Sequence, residues 1–173
     1  MMDVAAKAYQ VVGYKNSGKT TLICKLLPLL TEQGLRVGTV KHDAHGFEAD
    51  VPDTDTWKHR NSGSVFTAIT SGDRTAIMME RPSPLRELIR EAEKHCDLVL
   101  VEGFKNEDYP KLLLIRHPNE AEELLKLSHV DAIAWWPEAE KLAAFLPLPR
   151  RTALFSIGDE EGLLRHLLRF AND

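Results

Sequence analysis

Gly13-Tyr14-Lys15-Asn16-Ser17-Gly18-Lys19-Thr20 matches the pattern G-x-x-x-x-G-K-[ST] at every defined position. These residue types at this spacing suit a polyphosphate. The glycines let the backbone wrap so that successive N–H groups point inward, and a helix beginning at the second glycine adds its positive end. Lys19 is expected to reach the β- and γ-phosphates of a bound nucleoside triphosphate. The Thr20 hydroxyl would complete the shell of a Mg²⁺ ion, and Thr21 would add a contact to the α-phosphate. Lys15, Asn16 and Ser17 form the body of the turn and are counted with Gly13 and Gly18 as phosphate-binding positions.

Such a site needs an acid at the end of a neighbouring apolar strand to hold the metal and the attacking water. Leu98-Val99-Leu100-Val101-Glu102 supplies one, with Gly103 behind it to allow close backbone approach. Glu102 is therefore expected as a Mg²⁺ ligand and catalytic acid; the plainer reading is a surface carboxylate ending a strand. His42 and His45 lie three apart in a polar stretch, available to phosphate, metal or another ligand, or to simple loop hydrogen bonds. Asp43 beside them is expected as a second catalytic residue, an acid placed behind the metal. Lys105 and Arg116, after further strand ends, could neutralise phosphate. Asp55, Lys58, His59 and Arg60 read either as a helix that senses the γ-phosphate or as a solvated charged face. Trp135-Trp136 reads either as a partner anchor or as strand-end core. No N-K-x-D motif reads guanine; Asp131 or a backbone carbonyl could accept from a base.

The elements that must position these residues follow from periodicity. Tyr9–Gly13 is β-prone and stops at glycine; Gly18–Gln33 carries Leu22, Ile23, Leu26, Leu27 and Leu30 at helical spacing, with Gly34 ending it. Pro28 removes a backbone donor and crowds the carbonyl of Cys24, which predicts a kink or tightening there. Leu35–Lys41 is a second strand, so a parallel right-handed βαβ unit is expected. His42–Pro52 reads as an exposed loop, Asp53–Asn61 as a short helix, and Val65–Thr70 with Thr75–Glu80 as a hairpin. Leu85–Lys94 fits a helix. Asp97–Val101 is a strand buried on both faces and placed centrally in the sheet. Lys111–Ile115, Asp131–Ala134 and Thr152–Phe155 are further strands, with helices over Glu120–Leu127 and Asp159–Phe170; Pro137–Pro149 is a loop or a short helix. The fold class is α/β: a three-layer P-loop NTPase fold, with a mostly parallel sheet flanked by helices and a β-hairpin embellishment.

At 173 residues the chain fits one domain, and 43% hydrophobic with 28% charged residues is ordinary globular composition. A net charge of -4 with no basic run argues against nucleic-acid partners. Cys24 and Cys96 lack the spacings of a zinc site and are expected as buried thiols in a reducing compartment. No apolar stretch approaches the ~20 residues that cross a bilayer, and no export signal opens the chain, so a cytoplasmic protein without membrane contact is expected.

The phosphate turn, Lys41-His42-Asp43-Ala44-His45-Gly46-Phe47-Glu48, Asp55-Thr56-Trp57-Lys58-His59-Arg60 and Val101-Glu102-Gly103-Phe104-Lys105 together resemble the MobB family of molybdopterin-guanine dinucleotide biosynthesis adaptors, from Val11 to about Arg116. The sequence departs from the family's usual form at Pro52-Asp53-Thr54 and Ser62-Gly63-Ser64. The resemblance implies a GTP-binding homodimer of weak GTPase activity that assists MobA, the guanylyltransferase joining GMP to molybdopterin. Molybdopterin or a molybdoenzyme is a further partner it suggests. The hairpin is an expected dimerisation element. The alternative from another class is a small-molecule kinase using ATP in the same turn.

Overall fold

Two apolar faces on one set of strands decide the architecture. The computed structural model describes residues 7–141, 145–146, 148 and 151–173. Six strands, β1 (Lys7–Val12), β2 (Val37–Lys41), β5 (Leu98–Glu102), β6 (Lys111–Ile115), β7 (Val130–Trp135) and β8 (Ala153–Ser156), form one sheet in the order β2-β5-β1-β6-β7-β8. Every pairing in it is parallel. The expected βαβ start is present, with α1 (Lys19–Glu32) between β1 and β2. β5 is an interior strand one place from the β2 edge, whereas β1 and β6 take the centre.

Side chains alternate across the sheet. Tyr9, Val11, Leu98, Leu100, Leu112 and Leu114 join Leu22, Ile23, Leu26 and Leu30 of α1 and Leu163 and Leu167 of α6 (Glu160–Asn172) in one cluster. Ala8, Val99 and Val101 meet Leu85 and Ile89 of α3 (Leu85–Ala92). Val12, Leu113, Ile115, Ile133 and Trp135 meet α4 (Ala121–Leu124) and α5 (Pro137–Glu140). The result is helix, sheet, helix, each buried leucine contributing roughly 2 kcal/mol of burial free energy. Pro28 lies inside α1, and the helix continues past it to Glu32. Pro137–Glu140 resolves the open stretch as a short helix at its start; residues 142–144, 147 and 149 fall outside the described residues. No helix among the described residues is long and apolar enough to cross a membrane.

The cysteines differ from expectation. Cys24 is exposed and Cys96 half-buried. The spacing that buries Leu22, Ile23 and Leu26 turns Cys24 to the outer side of α1, and Cys96 sits in the turn between α3 and β5.

Residues Asp43–Pro84 form a second compact unit. Within it the stretch before α2 (Asp55–Asn61) is irregular and exposed, and β3 (Phe66–Thr70) pairs antiparallel with β4 (Thr75–Met79) as the expected hairpin. Arg60 ties the unit together, with Nη1 2.5 Å from Glu48 Oε1, Nε 2.7 Å from Glu80 Oε1 and Asp50 at 3.9 Å. Its neighbours hold the guanidinium above the usual arginine range, Glu48 most strongly. Of the α2 charges considered as a solvated face, Arg60 is instead 15% exposed and ion-paired.

Asp131 lies at the second position of β7, the strand end away from the phosphate turn, which removes it as a base acceptor. It accepts from Tyr9 Oη at 2.7 Å and lies 2.7 Å from His166 Nε2, tying β1, β7 and α6 together. The His166 hydrogen bond holds the Asp131 carboxyl below the usual carboxylate range, against partial burial and with help from Tyr9. A depressed folded value means stability that is complete above the unfolded value of about 3.9 and lost as pH falls through the lower folded one. Asp131→Asn is therefore expected to cost about 1 kcal/mol near neutral pH, allowing for partial exposure. Urea unfolding should show that gap closing below about pH 4.

Candidate functional site

β1 delivers the chain to the carboxyl edge of the sheet at Val12, and the next six residues turn it into α1. The turn is tight at both glycines. A Cβ on Gly13 would lie 2.5 Å from Ser17 Oγ and 2.8 Å from the Leu114 carbonyl oxygen. Gly18 has φ +93°, and Asn16 adopts φ 62°, a left-handed value that asparagine tolerates better than most residues.

The start of α1 is left open. Gly18 offers no side-chain cap and the first turn holds no acid. At α6, by contrast, Asp159 accepts from the Gly162 amide at 2.9 Å, and Glu160 and Glu161 stand in the first turn. The amides and positive end of α1 therefore face the pocket without a side-chain cap or a first-turn acid to meet them.

That pocket, about 430 Å³, is lined by Lys15, Asn16, Gly18, Lys19, Thr20, Thr21, Lys41 and Glu102. Lys19 Nζ donates to the carbonyls of Gly13 at 2.8 Å and Tyr14 at 2.7 Å, spanning the turn. Desolvation pushes its ammonium below the usual lysine range; Glu102 opposes the shift and Lys41 adds to it. Thr20 Oγ1 lies 2.9 Å from both Glu102 carboxylate oxygens. Lys41 Nζ is 3.5 Å from Glu102 Oε1. A hydroxyl and a carboxylate converging beside three lysines form a hard-oxygen set fitted to Mg²⁺, which characteristically takes one or two protein oxygens plus phosphate and water.

The other sequence-derived candidates stand around this pocket or apart from it. Ser17 is buried at 1% exposure, its hydroxyl behind the turn against Gly13 and its amide donated to the Tyr14 carbonyl at 3.2 Å. His42 packs its ring on Phe104 at 4.8 Å and donates its amide to the Glu102 carbonyl at 3.0 Å. Gly103, at φ +88°, lies against the His42 Cβ. Lys105 pairs with Glu123 at 2.9 Å, and the same carboxylate accepts from the Tyr14 hydroxyl. Asp43 and His45 belong to the second unit, where the Asp43 carboxylate accepts the His45 amide at 2.9 Å. Trp135 is core, 2% exposed, and Trp136 lies on the phosphate turn, its indole nitrogen 2.9 Å from the Ser17 carbonyl oxygen.

Sequence reasoning missed Lys41 and Glu123. Lys41 is the register partner of Glu102 on the adjacent strand, so knowing that β2 neighbours β5 would have placed it in the pocket. Glu123 sits on a helix four residues long, with no motif to mark it.

A family model described as "Molybdopterin guanine dinucleotide synthesis protein B", MobB, matches residues 8–136. The chain is 36% identical over 157 residues to the molybdopterin-guanine dinucleotide biosynthesis adapter protein of Escherichia coli K12, covering 87% of this chain and 85% of that one. It is 42% identical over 109 residues to the Haemophilus influenzae protein of the same description, with 61% of each covered. The crystal structure of Bacillus subtilis MobB superposes with TM-score 0.76 at 28% identity, covering 94% of this chain and 96% of that one. The fold is the P-loop α/β fold, with the turn at the carboxyl edge of the sheet where this architecture binds its ligands.

Gly13→Ala tests the closeness of the turn. Its methyl would meet backbone as well as Ser17, so a loss of about 1–3 kcal/mol in chemical unfolding is expected; a parent-like midpoint would show that the turn relaxes freely.

Proposed function

This chain belongs to the MobB family, and from that premise we propose that it is a cytoplasmic GTP-binding adaptor that assists the attachment of GMP to molybdopterin. The observation that carries the nucleotide site is the open start of α1, with Lys19 and the Thr20–Glu102 pair converging on one pocket. The amides from Gly18 to Thr21 would meet the phosphates, and Lys19 would exchange the Gly13 and Tyr14 carbonyls for phosphate oxygens. Thr20 and Glu102 would hold Mg²⁺, which would offset the negative charge of the bound phosphates. With Glu102 so engaged, Lys41 would be free to turn to the γ-phosphate. The described residues lining the pocket include neither an arginine nor a glutamine, which supports slow hydrolysis and a role in which nucleotide state governs partner engagement. The preference for guanine rests on family membership, as do a MobA-like guanylyltransferase as partner and molybdopterin or a molybdoenzyme as further contacts. No observation favours the small-molecule kinase over this reading.

A homodimer is part of the same proposal. On the hairpin, Phe66 opposite Met79 and Ala68 opposite Ile77 share one face, and Phe66 and Ile77 are 55% and 56% exposed. A two-stranded ribbon is marginal alone, and a second copy of the chain would cover this face.

Calorimetry with GTP and ATP, with and without Mg²⁺, tests the nucleotide site. Tighter Mg²⁺-dependent binding of GTP is expected, weakened about 10- to 100-fold in Lys19→Ala; Lys41→Met should weaken GTP more than GDP. Preference for ATP with rapid transfer to an acceptor would overturn the reading. Separately, Ile77→Asp should convert a dimer to monomer in light scattering, and an unchanged mass would remove the hairpin from the interface.

A further inference from the structure

We propose that Arg116 and Trp136 are positioning residues for the phosphate turn, holding its outward carbonyls so that the Gly18 amide is aimed into the pocket before ligand arrives. This rests on the nucleotide-binding reading above and adds two side chains that no phosphate-binding pattern contains.

The phosphate turn has two sides. Amides that face an anion belong to peptide planes whose carbonyls point the other way, since N–H and C=O of a trans peptide are opposed. Those outward carbonyls need donors of their own. Trp136 Nε1 donates to the Ser17 carbonyl at 2.9 Å, in the peptide whose N–H belongs to Gly18. Arg116 Nη1 donates to the Asn16 carbonyl at 2.8 Å, in the peptide whose N–H belongs to Ser17 and closes the turn on the Tyr14 carbonyl at 3.2 Å. Two consecutive planes are thus fixed from behind, one closing the turn and the next opening on the pocket that Gly18 lines.

The two donors also hold each other. The Arg116 guanidinium lies 4.7 Å over the Trp136 ring, a stacked cation that keeps its planar fork directed at Asn16. Their backbones are also held: the Trp136 amide donates to the Ile115 carbonyl at the end of β6 at 3.0 Å, and the Arg116 amide to the Glu120 side chain, Oε2, at 3.0 Å. A Cβ on Gly18 would lie 3.3 Å from the indole, so a side chain there would crowd the ring as well as strain the backbone at φ +93°. A carbonyl that accepts a hydrogen bond polarises its peptide and makes the attached N–H a stronger donor. Trp136 therefore both orients and strengthens the Gly18 amide.

Trp136→Phe removes the indole donor while keeping an aromatic ring for Arg116 to stack on, and a melting measurement beside it reads the packing lost with the smaller ring. Affinity for Mg²⁺-GTP and Mg²⁺-GDP should fall together, about threefold to tenfold. In the ligand-free, nitrogen-15-labelled protein, the Gly18 amide should shift upfield in nitrogen. Arg116→Ala should also weaken binding, with Arg116→Lys restoring part of it. A Trp136→Phe protein that melts lower yet binds as the parent does, with the Gly18 resonance unmoved, would overturn the proposal and leave a packing contact. If the parent bound no nucleotide, the functional reading would fail. The Gly18 resonance would still decide the positioning role, a shift upholding it and no shift overturning it.

Discussion

The first turn of an α-helix carries amide donors that its own backbone cannot satisfy, and the protein must either fill that end or leave it for something else. In α6 the chain fills it with Asp159 and two glutamates. In α1 it leaves the end open, delivers it to the carboxyl edge of a parallel sheet, and brings up Lys19, Lys41 and Glu102 around it. The rest of the molecule serves that choice. Leu22, Ile23, Leu26 and Leu30 anchor the helix on the sheet, so that its open end cannot withdraw from the pocket.

Polar side chains buried in the sheet hold the loops at its edges. Gln10, fully buried on β1, donates to the carbonyls of Gly103 at 3.1 Å and Phe104 at 2.7 Å. Lys111, also fully buried, donates to the carbonyls of Glu107 at 2.9 Å and Ser128 at 2.6 Å, and desolvation holds its ammonium below the usual lysine range. Between them they meet the carbonyls of Gly103, Glu107 and Ser128 and add a second donor to that of Phe104, which also accepts the Glu107 amide at 2.9 Å; an unmet buried polar group would cost about 1–3 kcal/mol. Arg116 and Trp136 extend the same device to the phosphate turn itself.

Much of this was legible in the sequence because local rules and tertiary structure agree. The glycine spacing, the leucine period of α1 and the apolar run of β5 each point to one element, and the elements formed as read. What stayed hidden depended on neighbours distant in sequence. Lys41 enters the pocket only because β2 pairs with β5. Trp136 finds the turn only because β7 lies beside β6. Asp131 looked available to a base, yet its place at the far end of β7 commits it to Tyr9 and His166. Cys24 went against the general tendency of cysteine to be buried because helical phase, not residue type, set its side. The tryptophan pair shows how adjacent identical residues diverge on a strand end, one into the core and the other onto the phosphate turn.

A crystal structure with Mg²⁺ and a non-hydrolysable GTP analogue tests capture at α1 most directly. Capture there predicts β-phosphate oxygens within hydrogen-bond distance of the Gly18 and Lys19 amides, the Lys19 ammonium withdrawn from the Gly13 and Tyr14 carbonyls, and the metal on Thr20. A nucleotide seated elsewhere, with Lys19 still spanning the turn, would contradict it.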